Sequence, residues 1–397
     1  MPFISEKARE MPASPIRKLV PYSDAAKARG IKVYHLNIGQ PDIPSPQAAL
    51  DAVRAFGNAT IEYGHSAGNL SYRLKLSKYY GSLGVDVGSD DILITTGGSE
   101  ALLTALHVCL DPGDEVMVPE PFYTNYNSFA IQTGVNIVPL TTNIESGFAL
   151  PPVEEFEKAI TPRTRALLLC NPNNPTGYRY SRAELEKVRE MVARHDLFLI
   201  SDEVYRDFCY GDEPYFSCME LKGIESNTVL IDSTSKRYSM CGIRVGALIT
   251  KNREIIDAAL RFSQARLCAP ILGQAAAEAA LDTPAEYFAE IHEEYKRRRD
   301  CLIDGLGGIE GAVCPKPEGA FYTMVKLPVD NAENFARWML ECFDYKKQTV
   351  MVAPGAGFYK SANAGIDQVR IAYVLKTADL INAVECIKQA LKVYNGQ

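Results

Sequence analysis

The 397-residue chain has no run of 18 consecutive apolar residues, so no transmembrane helix is expected. Its ten cysteines stand singly from Cys109 to Cys386, without a CxxC pair or a Cys/His cluster at zinc spacing. No metal centre is therefore expected. Cys109 and Cys170 lie in apolar runs, where a thiol behaves as a small hydrophobe, which suits a reducing compartment. No segment concentrates basic residues, and Lys+Arg 42 against Asp+Glu 49 gives net −7, so neither nucleic acid nor a membrane surface is an expected partner. No G-x-G-x-x-G follows an apolar run, which argues against a nicotinamide dehydrogenase. Residues 1–14 lack an apolar h-region, so a soluble, cytoplasmic protein is expected. Internal repeats and low-complexity tracts are absent too.

What the chain does contain is ordinary in bulk, 47% hydrophobic and 23% charged, and its length predicts two domains or three. From about residue 90 short apolar runs alternate with helical patterns: Ile92–Ile94, Glu115–Val118, Ala166–Cys170, Leu197–Ile200, Val229–Ile231 and Val245–Thr250. Runs that are apolar throughout indicate strands covered on both faces. The expected fold is α/β, a large domain with a mostly parallel seven-stranded sheet covered by helices on both faces. A long helical region over roughly 253–305 leads to short strands at Phe321–Lys326 and Val369–Tyr373 and helices at Ala332–Cys342 and Ala378–Val393. These suggest a smaller α+β domain from the C-terminal region and N-terminal residues. The expected segments are an arm and part of the small domain at 1–45, a large domain at 46–290 and the small domain at 291–397.

In parallel α/β sheets ligands bind at the carboxyl ends of strands, so the polar residues after each run matter most. Thr95–Glu100 places two glycines at a helix start, where free N–H groups and the dipole favour an anion; a tight turn capped by Ser99 is the equal alternative. Asn171–Gly177 reads NPNNPTG, a loop stiffened by two prolines and able to hold an asparagine amide at a ligand. Ser201–Tyr205 brings an acid, Asp202, to a strand end; by itself a helix N-cap explains it better. Thr228–Leu248 carries Lys236 in a hydroxyl-rich turn and Arg244 eight residues on, a reactive amine beside an anion site. Arg370 is a charge inside an apolar run and needs a carboxylate from the protein or a ligand. Arg17 reads chiefly as a surface residue, with entry into a site as the minor alternative.

Together these stretches resemble the class I/II aminotransferases of fold type I, enzymes that use pyridoxal 5′-phosphate (PLP). NIGQPD (Asn37–Asp42), TGGSEA (Thr96–Ala101), PFYTNY (Pro121–Tyr126), NPNNPTG, SDEVY, STSK, GAFY (Gly319–Tyr322) and Arg370 occur in family order over nearly the whole chain. The resemblance implies Lys236 as Schiff-base lysine and proton shuttle, and Asp202 as partner of the protonated ring nitrogen. It implies Tyr205 and Asn174 at the phenolic oxygen, Gly98, Ser99, Ser233 and Arg244 around the phosphate, and Tyr123 on the ring face. Arg370, with Gly39 and Asn174, would hold the substrate carboxylate. Tyr63 would reach the phosphate of the other subunit, which implies a homodimer. The implied reaction is ping-pong transfer of an amino group from an L-amino acid to a 2-oxo acid. Two alternatives keep most of these residues, a PLP-dependent carbon–sulfur β-lyase and a non-catalytic PLP-binding sensor. Aspartate-specific relatives carry a lysine beside the glycine pair where this chain has Ser99, so the donor stays open.

Overall fold

A computed structural model describes residues 2–57, 59–211 and 213–396; Met1 and Gln397, the ends of the expected outer segments, lie outside it. After β1 (Lys32–His35), seven strands build one sheet: β2 (Ile92–Thr95), β3 (Glu115–Glu120), β4 (Asn136–Thr141), β5 (Thr164–Cys170), β6 (Phe198–Asp202), β7 (Thr228–Ser233) and β8 (Gly246–Ile249). Their order is β2-β8-β7-β6-β5-β3-β4. Only β8 runs antiparallel to its neighbours; every other pairing is parallel. β2, β3, β7 and β8 are buried at each residue, as two-sided covering requires.

The helix Gly97–Cys109 shows how packing places a site. It buries Ala101, Leu102, Ala105 and Leu106, a stripe at helical spacing, against β7 and β8. Each buried leucine contributes about 2 kcal/mol. That burial pins the helix so that its N-terminus opens at the carboxyl end of the parallel strands.

Three elements differ from the sequence reading. β4 had no apolar run to announce it: it is the half-exposed edge of the sheet and carries Pro139, a residue tolerated where no ladder N–H is needed. The helical region 253–305 is three helices, Arg253–Arg266, Ile271–Ala280 and Ala285–Gly307, the last two starting directly after Pro270 and Pro284. The N-terminal arm contains a short helix, Glu6–Glu10, capped by the Ser5 side chain.

Beyond the large sheet come β9 (Tyr322–Lys326), β10 (Gln348–Met351), β11 (Ala353–Pro354) and β12 (Gln368–Ala372). β11-β12-β9 form an antiparallel sheet, and β10 pairs in parallel with β1 from the other end of the chain. Among the described residues no helix is long and apolar enough to cross a membrane.

Candidate active site

Cys170 and Asp202 are register partners at the ends of β5 and β6, and β7 ends beside them at Ser233. A cavity of about 460 Å3 lies there. Of the residues proposed from sequence, Gly39, Gly98, Ser99, Tyr123, Asn174, Asp202, Tyr205, Ser233, Lys236, Arg244 and Arg370 line it. Tyr63 does not; it is 80% exposed on the surface of the chain.

One end of the cavity is a cradle for an anion. The N-cap of the helix is Thr96, not Ser99, so Gly98 and Ser99 sit in the first turn with free backbone N–H groups. Ser233 caps the next helical turn, its hydroxyl accepting from Ser235 N at 3.2 Å, and this turn carries Lys236. Arg244 takes a left-handed backbone (φ 56°) and donates from Nη1 to Cys241 O at 2.9 Å. Its guanidinium lies over Gly97, also left-handed (φ +77°), where a Cβ would stand 2.3 Å from Arg244 Nη2. Gly97→Ala is therefore expected to displace Arg244 and to lower folding stability by about 1–2 kcal/mol or more, the cost of a left-handed non-glycine residue. Denaturant unfolding measures it.

Asp202 lines the cavity at the end of β6. It is 4% exposed, accepts a hydrogen bond from the Tyr126 hydroxyl at 2.8 Å, and has no cationic side chain in contact among the described residues. Burial pushes its carboxyl up to about 6. The N-cap explanation fails: its contact with Val204 N is long, at 3.4 Å, and no helix begins there.

Arg370 stands in β12 with 1% exposure and no carboxylate partner among the described residues. It donates to Asn174 Oδ1 at 3.0 Å and to Asn37 O at 2.5 Å, and its Nε is unpartnered. Tyr322 and Phe358 cover its faces, 4.5 and 4.9 Å from the ring centroids. Burial pushes its pKa down, the sign of a cation short of a counter-ion. A structural salt bridge, the rival explanation for this arginine, is not what the fold provides. Asn174 is held by its loop: the Asn173 side chain accepts from Thr176 N and Oγ1 at 3.2 and 3.0 Å. Because Asn174 Oδ1 takes the arginine's proton, its amide NH2 is left to donate elsewhere.

Lys236 Nζ donates to Gly39 O at 2.9 Å. The Tyr205 and Tyr322 hydroxyls lie 3.1 Å apart, and burial followed by the Tyr322 charge raises the Tyr205 phenol far above its usual range. A Cβ on Gly39 would meet Tyr322 Oη at 1.7 Å, so only glycine lets this backbone approach.

Sequence reasoning did not assign Tyr126, Tyr322 or Ser235, which act through contacts with Asp202, Tyr205 and Ser233. The first two lie inside motifs already singled out, PFYTNY and GAFY, and that was the available signal. Arg17 does reach the cavity wall.

The family described as "Aminotransferase class I and II" matches residues 31–387. An aspartate aminotransferase of Rhizobium meliloti (strain 1021) is 33% identical over 397 residues, covering 95% of this chain and 93% of that protein. Among solved structures, the aspartate aminotransferase from Thermus thermophilus with maleate is similar at a TM-score of 0.89 and 29% identity, covering 98% of this chain and 100% of that one. The alanine aminotransferase from Pyrococcus furiosus is similar at 0.91 and 30%, with the same coverage.

Proposed function

From the premise that the chain belongs to the class I and II aminotransferases, PLP-dependent enzymes that move amino groups between amino acids and 2-oxo acids, we propose that the cavity described above is its active site. The carrying observation is Arg370, a buried cation with no counter-ion among the described residues, lining the same cavity as Arg244, Ser233 and the free N–H groups of Gly98 and Ser99. An isolated buried charge costs several kcal/mol, roughly, so the site is built for an anion that arrives from solution.

The residues fit PLP. Arg244, Ser233, Ser235 and the N–H groups of Gly98 and Ser99 suit its phosphate; the uncompensated Asp202 suits a protonated ring nitrogen; Lys236 is the amine for its aldehyde. When bound, the cofactor supplies an electron sink for the carbon that carries the amino group. Asp202 would hold the proton on the ring nitrogen. Tyr205 and the Asn174 amide would donate to the phenolic oxygen, and Tyr123 would cover the ring face. Arg370 would grip the α-carboxylate, with Gly39 close by. Lys236 Nζ would move the proton from the substrate Cα to C4′ of the cofactor. Turnover is ping-pong: one amino acid leaves as its 2-oxo acid before a second 2-oxo acid accepts the amino group. Tyr63 is exposed and outside the cavity of its own chain, which leaves it free to reach the site of a second copy in a homodimer.

The deciding experiment incubates holoenzyme with single amino acids and no acceptor. One equivalent of 2-oxo acid per site marks the transferase; continuing release of pyruvate from a cysteine conjugate marks the β-lyase instead.

The charge on the wall points to the donor class. Arg17, Lys236, Arg244 and Arg370 line the cavity, and among the described residues Asp202 is the one acid that does. With Arg244 given to phosphate and Arg370 to the α-carboxylate, Arg17 remains to receive a second carboxylate, as on aspartate or glutamate. Arg17→Gln is expected to lower kcat/KM for aspartate by roughly 10- to 100-fold and for alanine by less than about 3-fold. Equal losses for both donors would remove Arg17 from this role.

A further inference from the structure

Adjacent in the chain to cavity-lining residues, two arginines and two aspartates form a cluster with no part in the chemistry above, with Arg206, Asp232 and Arg237 buried and Asp207 partly exposed. Asp232 is 3% exposed. Its Oδ1 accepts from Arg237 Nη2 at 2.8 Å and from Ser233 N at 2.8 Å. Its Oδ2 accepts from Arg206 Nη2 at 3.1 Å and from the Tyr80 hydroxyl at 2.9 Å. Arg237 Nε also donates to Asp207 Oδ2 at 2.7 Å. Tyr79 lies against both guanidiniums, 5.3 Å from that of Arg206 and 4.8 Å from that of Arg237.

The place of this cluster in the chain is what gives it meaning. Arg206 follows Tyr205, Asp232 precedes Ser233, and Arg237 follows Lys236. Tyr205, Ser233 and Lys236 point into the cavity while their neighbours point into the cluster. Two cations and two anions balance, so no member can be removed without leaving a buried charge. The guanidinium of Arg237 spans both aspartates with its planar fork, a geometry that a lysine cannot reproduce. Burial opposes the charge of Asp232, yet the two guanidiniums outweigh it and hold its carboxyl at about 2, so Asp232 stays ionised near neutral pH.

We infer that Arg206, Asp207, Asp232 and Arg237 are a positioning unit that fixes Lys236, Ser233 and Tyr205 relative to one another. This rests on the reading of Lys236 as the amine that captures PLP. Such a unit holds the Lys236 turn in its reacting geometry before any ligand arrives, which is where accurate placement affects rate.

The test separates positioning from mere stabilisation. Arg237→Lys keeps the charge and loses the fork. Arg237→Met with Asp207→Asn removes one charge of each sign and restores neutrality without any tie from residue 237. Each protein is measured for Tm, for amide exchange in residues 232–238, and for the rate at which added PLP is captured by Lys236, trapped with borohydride and read by peptide mass. Positioning predicts that the double variant keeps a Tm within a few degrees of the parent. In both variants the 232–238 amides should exchange at least tenfold faster and capture should slow at least tenfold. Capture within twofold of the parent, or unchanged exchange in that segment, in either folded variant overturns the inference. A parent that captures no PLP would overturn the cofactor reading instead, and the exchange measurement then decides the inference alone. If the double variant does not fold, Arg237→Lys carries the decision.

Discussion

Lys236→Ala is expected to lower kcat by roughly 10⁴-fold or more and to abolish borohydride-stable attachment of PLP, while the chain still folds and still retains cofactor through its phosphate. The amine has two tasks, and alanine performs neither. Folding survives because Lys236 is only partly buried and its main partner is one carbonyl, Gly39 O at 2.9 Å. Losing one such bond costs about 1 kcal/mol. Retention survives because Arg244, Ser233 and the N-terminus of Gly97–Cys109 do not depend on the lysine side chain. Lys236→Arg is expected to be as inactive as alanine, because a guanidinium stays protonated and cannot act as nucleophile or base at neutral pH. Steady-state rates with peptide mass after reduction check both variants. Activity of either one within tenfold of the parent would place the essential amine elsewhere.

Much of the cavity lining was legible because many of its residues follow a buried strand in the chain. Gly98 and Ser99 come after β2, Asn174 after β5, Asp202 ends β6, and Lys236 follows β7. A parallel sheet converts that sequence rule into spatial convergence, since all those ends lie on one side. β4 escaped because an edge strand needs no continuous apolar run, and Pro139 reads as a break. Tyr322 and Arg17 reach the cavity wall from β9 and from the N-terminal arm, and Tyr126 reaches Asp202 from a helix, elements whose approach is settled by tertiary packing. The charge cluster was invisible for the same reason. Nothing local in Arg206, Asp207, Asp232 or Arg237 says that two neighbouring strand ends will bring them together. Arg370 shows the opposite case: an arginine inside an apolar run announces that it needs a carboxylate, and among the described residues the fold supplies neutral oxygens and no carboxylate.

Asp202→Asn is expected to lower kcat by roughly 10³-fold or more and, in the chain without cofactor, to raise stability near neutral pH. Both effects have one cause. An asparagine accepts the Tyr126 hydrogen bond, seen at 2.8 Å, but carries no charge with which to keep a ring nitrogen protonated. For stability, the wild-type carboxyl is raised by burial to about 6 in the folded chain, against about 3.9 when unfolded. Between those values the unfolded state has released its proton and the folded state has not, so stability falls as pH rises. The fall begins near pH 4, is complete just above pH 6, and amounts to about 3 kcal/mol. Asparagine does not titrate, so the stability of the variant relative to the parent should rise by about that amount across the window, and the variant should be the more stable at pH 7.5. A protonated ring nitrogen beside Asp202 would restore what burial costs, so PLP should raise the Tm of the parent more than that of the variant at that pH. Thermal unfolding of both proteins at pH 4.5 and 7.5, with and without PLP, tests the set. A parent–variant difference that does not change between those pH values, or equal Tm gains from the cofactor, would mean that Asp202 is not held as an uncompensated buried carboxyl awaiting a cation.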